Sequence, residues 1–126
     1  MTRLWTILGV HDVRASYQWY QHLLGFTVDE PAHDYFGMVR DREGAVLVCL
    51  HAWGAHEHPS LTAADVAAPG NGLLLFFRVD DYDAALARAR AMGAVLSEEP
   101  HVNPNTRTME FSLRDPDGYH VTISAS

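Results

Sequence analysis

Two stretches of the chain repeat apolar residues at helical intervals. Ala15, Trp19, Tyr20 and Leu23 fall at i, i+4, i+5 and i+8, and Tyr82, Ala85, Leu86, Ala89 and Met92 at i, i+3, i+4, i+7 and i+10. Each pattern predicts a helix packed along one side. Each helix opens after an apolar run that ends in Val-x-Asp, with Asp12 and Asp81 as N-caps whose carboxylates accept free backbone N–H groups. Each closes on a glycine, Gly25 or Gly93, where a left-handed backbone is required.

Apolar runs of strand length occupy the rest. Met38–Glu43 leads through Gly44 into the run Ala45–Leu50, and Leu113–Asp117 leads through Gly118 into His120–Ser124. Both read as strand, tight Asp/Gly turn, strand, and so as hairpins. The chain is therefore a tandem duplication in which each half is strand–helix–strand–strand–strand. The second strand of each half is expected near Thr27–Asp29 and Ala94–Ser97. The expected fold is α+β, one domain over 1–126 made of module 1 (about 3–51), a linker or flap (52–71) and module 2 (about 72–125). The linker is long for a connection inside a compact domain.

Composition changes this picture little. Across 126 residues, hydrophobic side chains make up 48% and charged ones 20%, the balance of a globular chain. No apolar run approaches the roughly 18–20 residues that span a bilayer. Sixteen acids against nine bases, every one arginine, give a formal charge of −7. That field opposes a phosphate backbone, favours a small cationic partner, and also keeps a protein soluble. The single cysteine, Cys49, excludes an internal disulfide; a buried, inert thiol in a cytoplasmic protein is expected.

Candidate chemistry is sparse. His51, His56 and His58 form a cluster with metal-ligand spacing, but on a Gly/Pro-punctuated loop that does not fix geometry, so solvated histidines are the competing reading. Glu110 and His120 flank the second hairpin as a candidate acid–base pair; alternatively Glu110 pairs with Arg114 or Arg78. His11, His22, His33 and His101 are expected to be solvated. Arg3 and Arg78 either anchor a carboxylate or lie at a rim. The chain has neither a phosphate-cradling glycine loop nor a serine elbow.

The duplicated modules, Val10-His11-Asp12 with Trp19-Tyr20-Gln21-His22-Leu23-Leu24-Gly25-Phe26, and Phe111-Ser112-Leu113-Arg114-Asp115-Pro116-Asp117-Gly118 resemble the vicinal oxygen chelate superfamily. This is the group of glyoxalase I, bleomycin-resistance proteins and extradiol dioxygenases, and the likeness covers about residues 3–125. It implies two βαβββ modules forming a curled eight-stranded mixed sheet, helices on the outer face and ligand in the cup. The resemblance puts metal ligands seven residues before each helix-opening aspartate and four after each turn glycine. Here those positions read Trp5, Leu74, Val48 and Thr122, none a carboxylate or imidazole.

Strand parity from those positions predicts a cup lined by Trp5, Ile7, Val48, Leu50, Leu74, Phe76, His120 and Thr122, with Cys49 on the helix side. An apolar, aromatic cup favours binding a small molecule over activating water. Lacking those ligands, the cup reads as that of a metal-independent small-molecule binder similar to the bleomycin-resistance members. The resemblance implies a homodimer, the lone cysteine a cytoplasmic location, and the −7 charge a cationic aromatic ligand, with no nucleic-acid or membrane partner. The alternatives are a divalent-metal lyase, isomerase or dioxygenase using the histidines or Glu110, and a protein-interaction module that keeps the fold as a scaffold.

Overall fold

The computed structural model describes residues 3–55, 58, 61–65, 70–71, 73–104 and 106–126. The chain divides into two compact units, Met1–His22 with Phe26–Ala67, and Leu23–Gly25 with Ala68–Ser126.

The first unit holds β1 (Ile7–Val10), most of α1 (Val13–Leu24), β2 (Phe36–Arg40) and β3 (Val46–Ala52). Its sheet runs β1-β3-β2, with β1 parallel and β2 antiparallel to β3. The α1 helix starts where Asp12 Oδ1 accepts the Ala15 N–H at 3.0 Å. It ends where Phe26 N–H reaches back to the Gln21 carbonyl at 2.8 Å around Gly25, whose φ is +78°. Its buried residues are Val13, Ser16, Tyr20, Gln21, Leu23 and Leu24. Trp19 is half-buried and the expected stripe member Ala15 is exposed, so the true stripe is rotated from the one read in the sequence.

The second unit holds β4 (Leu75–Val79), α2 (Tyr82–Ala91), β5 (Leu96–Val102), β6 (Met109–Arg114) and β7 (His120–Ala125), with sheet order β4-β7-β6-β5. Asp81 caps α2 as Asp12 caps α1, accepting Ala84 N–H at 3.0 Å. The helix packs on β6 and β7, with the Tyr82 and Phe111 rings 5.7 Å apart. Leu75, Phe111, Leu113, Val121 and Ile123 are buried with Tyr82, Ala85 and Ala89. Burying each large apolar side chain contributes about 1.5–3 kcal/mol before chain entropy is counted.

The two hairpin turns match bond for bond. Asp41 Oδ1 accepts Glu43 and Ala45 N–H at 3.0 and 2.9 Å, and Asp115 Oδ1 accepts Asp117 and Tyr119 N–H, both at 2.9 Å. Gly44 and Gly118 take φ of +87° and +90°. Arg40 and Arg114 each donate Nη1 to the turn-glycine carbonyl, at 3.0 and 2.9 Å.

The duplication is incomplete. Among the described residues the strands number seven, in sheets of three and four, in place of the single eight-stranded sheet expected. Residues 27–29 form no strand. Gln21 instead donates Nε2 to Asp29 Oδ1 at 2.6 Å and accepts Asp29 N–H at 3.1 Å, so a side-chain amide takes the place of a ladder partner. The counterpart in the second unit does form, as β5. No helix among the described residues is long and apolar enough to cross a membrane.

Candidate functional site

Each sheet has one side turned to its helix and one turned away. In the first unit a Cβ on Gly37 would lie 3.3 Å from Tyr17 and 3.5 Å from Val13, which identifies the α1 side. Gly37 pairs with Leu50 and Leu50 with Leu8, so these three share the α1 side. Val48, two residues from Leu50, lies there too, and both are fully buried. The expected placement of Val48 and Leu50 in an open cup is therefore corrected.

The cause is a β-bulge. Arg40 pairs with Val46 but Val39 pairs with Val48, so Leu47 has no partner on β2 and the side-chain parity of β3 flips. In the second hairpin Arg114 pairs with His120 and Leu113 with Val121, with no slip. Four residues after the turn glycine therefore reaches the open face at Thr122 and the helix face at Val48. Cys49 and His51 consequently lie away from α1, beside Ile7 and Gly9, not on the helix side as predicted for Cys49. Burial pushes the Cys49 thiol up, partly offset by the Arg40 charge.

Of the expected histidine cluster, His51 is the next-to-last residue of β3 and its ring stays in contact with that of His58. His51 is 3% exposed, not solvated, and its Nδ1 donates to the Ala52 carbonyl at 2.7 Å. The His58 ring lies 5.4 Å from the His51 ring, and the Phe36 ring 6.2 Å. His56 lies outside the described residues. Trp53, absent from the expected lining, covers Gly9, where a Cβ would meet the indole at 2.8 Å.

In the second unit Phe111 meets α2, so its neighbours in sequence face away. Two cross-strand rows cover that open face: Phe76, Thr122, Ser112 and Glu98, then Arg78, Ser124, Glu110 and His101. The Ser112 and Thr122 hydroxyls bond at 2.8 Å, and those of Thr108 and Ser124 at 3.1 Å. Phe76 is 40% exposed, and Leu74, just before β4, is 53% exposed. Trp5, just before β1, is 49% exposed and Ile7 45%.

Glu110 is the buried charge of this face. Its side chain is 8% exposed; Oε1 accepts Asn103 Nδ2 at 2.7 Å, and Oε2 lies 3.6 Å from His101 Nε2. His101 Nδ1 donates to the Glu99 carbonyl at 2.8 Å. The imidazole beside Glu110 is thus His101, which the sequence reading left in solvent. His120 pairs opposite Arg114, four residues along β6, so the pair Glu110 and His120 is not assembled. Neither Arg114 nor Arg78 forms an ion pair with Glu110. Ser112 was legible as the polar partner of Phe111 in a period-two strand; Asn103 and His101 needed the strand register.

The ligand positions implied by the resemblance do not fit a divalent metal. Trp5 and Leu74 are apolar, Val48 is buried on the helix side, and the Thr122 hydroxyl is engaged by Ser112. Among the described residues no group of three or more His, Cys, Asp or Glu converges.

Comparison with known proteins agrees with this architecture. Residues 3–123 match the family described as the Glyoxalase/Bleomycin resistance protein/Dioxygenase superfamily. A probable lactoylglutathione lyase from Synechocystis sp. is 26% identical, over 98% of this chain and 94% of the relative. One from Vibrio cholerae is 25% identical, over 95% and 87%. A glyoxalase/bleomycin resistance protein/dioxygenase family enzyme from Burkholderia phytofirmans superposes with a TM-score of 0.73 at 23% identity, covering 96% of this chain and 95% of that one. A lactoylglutathione lyase from Agrobacterium tumefaciens superposes at 0.70 with 17% identity, covering 99% and 93%. With its duplicated caps and turns and a family match over nearly its whole length, the chain belongs to the glyoxalase/bleomycin resistance protein/dioxygenase superfamily.

Proposed function

We propose that this protein binds a small organic molecule without a metal ion, on the open face of its second unit. The observation that carries the reading is the chemistry of Thr122. At a position where the superfamily resemblance puts a metal ligand, the chain has a neutral hydroxyl already bonded to Ser112 at 2.8 Å. Around it, exposed Phe76 and Leu74 supply apolar contact, and hydroxyls with one buried carboxylate supply orientation. That mixture suits recognition of a ring with a polar or charged group. The −7 charge of the chain and the Glu110 carboxylate favour a cationic aromatic ligand. The edge strands β1 and β4 carry exposed Ile7 and Phe76, which supports closure by a second copy into a homodimer, and the lone buried thiol of Cys49 suits the cytoplasm.

The second reading is a divalent-metal enzyme. It is favoured by the relatives named as probable lactoylglutathione lyases and by the His51 and His58 rings 5.4 Å apart. Titration of the chelator-treated protein with nickel, zinc, manganese and iron(II) separates the two. The binding reading expects no tight stoichiometric metal and a benzylamine affinity weakened by Phe76→Ala. Stoichiometric metal that is lost in His51→Ala overturns it.

A further inference from the structure

We infer that the open face of the second unit selects a small aromatic zwitterion, with Glu110 meeting its cationic group and Arg78 its carboxylate; this rests on the binding reading above. Arg78, Ser124 and Glu110 form one cross-strand row on β4, β7 and β6. Their backbones are two strand spacings apart end to end, about 9.6 Å. One end of the row is a cation and the other an anion, with the Ser124 hydroxyl between them.

The two ends have different environments, and both point to a ligand. Glu110 is 6% exposed, and the groups on it are the Asn103 amide at 2.7 Å and the His101 ring at 3.6 Å. A carboxylate so withdrawn from water is stabilised by an added cationic donor. Arg78 is exposed on edge strand β4, pairs with no carboxylate among the described residues, and donates only a long 3.4 Å bond to the Ala125 carbonyl. Its planar fork is left to take a carboxylate bidentately.

A simple cation seated at Glu110 would feel Arg78 as a like charge along the same row, and a simple anion at Arg78 would feel Glu110. A zwitterion whose charges are separated by one aromatic ring meets both with the right sign. The ring has a surface to lie on, because Phe76, two residues from Arg78 on the same face, is 40% exposed and is followed across the row by Thr122. The other arginine of this face, Arg114, gives Nη1 to the Gly118 carbonyl at 2.9 Å and is held at the hairpin turn.

The test is calorimetric titration of the full chain with 4-(aminomethyl)benzoate, benzylamine, benzoate and benzyl alcohol. The zwitterion is expected to bind about tenfold more tightly than either singly charged probe, since each charged hydrogen bond adds about that factor. Arg78→Met should remove its advantage over benzylamine, and Glu110→Gln its advantage over benzoate. Arg78 is exposed, so its variant keeps the test valid even where Glu110→Gln impairs folding. Equal binding of all four probes overturns the zwitterion assignment and leaves the binding reading standing. Failure of all four, benzyl alcohol included, overturns both.

Discussion

Asn103 donates its Nδ2 to Glu110 Oε1 at 2.7 Å, joining the β5–β6 turn to the one buried carboxylate on the open face of the second unit. The turn itself fixes Asn103: its N–H donates to the Thr108 carbonyl at 3.0 Å, and its own carbonyl accepts Arg107 N–H at 2.7 Å. Arg107 makes that turn with φ of +60°, the one non-glycine residue with positive φ among those described. A turn that accepts local backbone strain thus holds an amide against a buried charge.

Asn103→Ala leaves the carboxylate short of one charge-assisted donor, and is expected to destabilise the protein by about 1.5–3 kcal/mol. Asn103→Asp, which sets a second carboxylate against Glu110, should be worse still. Urea unfolding of the two variants checks the order. A midpoint for Asn103→Ala equal to that of the parent sinks the role given to this bond.

The buried Tyr82 hydroxyl has no hydrogen-bond partner among the described residues. Tyr82→Phe is therefore expected to be neutral or to stabilise by about 1 kcal/mol, because the cost of desolvating the hydroxyl disappears. The same burial raises the Tyr82 phenol and, in the first unit, the Cys49 thiol above their ordinary values of 10.0 and 9.0. Both acids keep their protons longer folded than unfolded. Their contribution is complete below the unfolded values and is lost as pH rises through the folded ones. Thermal melts from pH 8 to 11 should show stability falling on the alkaline side, with a shallower fall in Tyr82→Phe.

Gly9 lies under the Trp53 indole, and a Cβ added there would sit 2.8 Å from ring carbons. Gly9→Ala is expected to cost about 1–3 kcal/mol by overpacking. Combined with Trp53→Ala, the loss should be smaller than the sum of the two single losses, as for residues in contact. Strict additivity in differential scanning fluorimetry would mean that the ring does not rest on this glycine.

The duplicated caps predict duplicated energetics. Asp12 and Asp81 each accept one N–H at 3.0 Å, so Asp12→Ala and Asp81→Ala should each destabilise by about 0.5–2 kcal/mol. Asparagine at either position should restore most of the loss, because its carbonyl oxygen accepts the same N–H. An alanine variant as stable as the parent in chemical denaturation would exclude capping at that helix.

The sequence by itself determined the features whose causes are local. A carboxylate at an N-cap, a glycine at a helix stop and an Asp/Gly turn act within five residues, and all three recur in both halves with closely matching bonds. Only the tertiary structure decided which side chains face away from the helices. Strand parity is exact within a strand, yet one unpaired residue, Leu47, reverses it and moves Val48 and Leu50 to the α1 side while turning Cys49 and His51 away. The same holds for Glu110. Its neighbours Asn103 and His101 come from across a hairpin whose register slips on the way, so no spacing along the chain could identify them. Backbone hydrogen bonds across strands set that register, and they exist only once the sheet has formed.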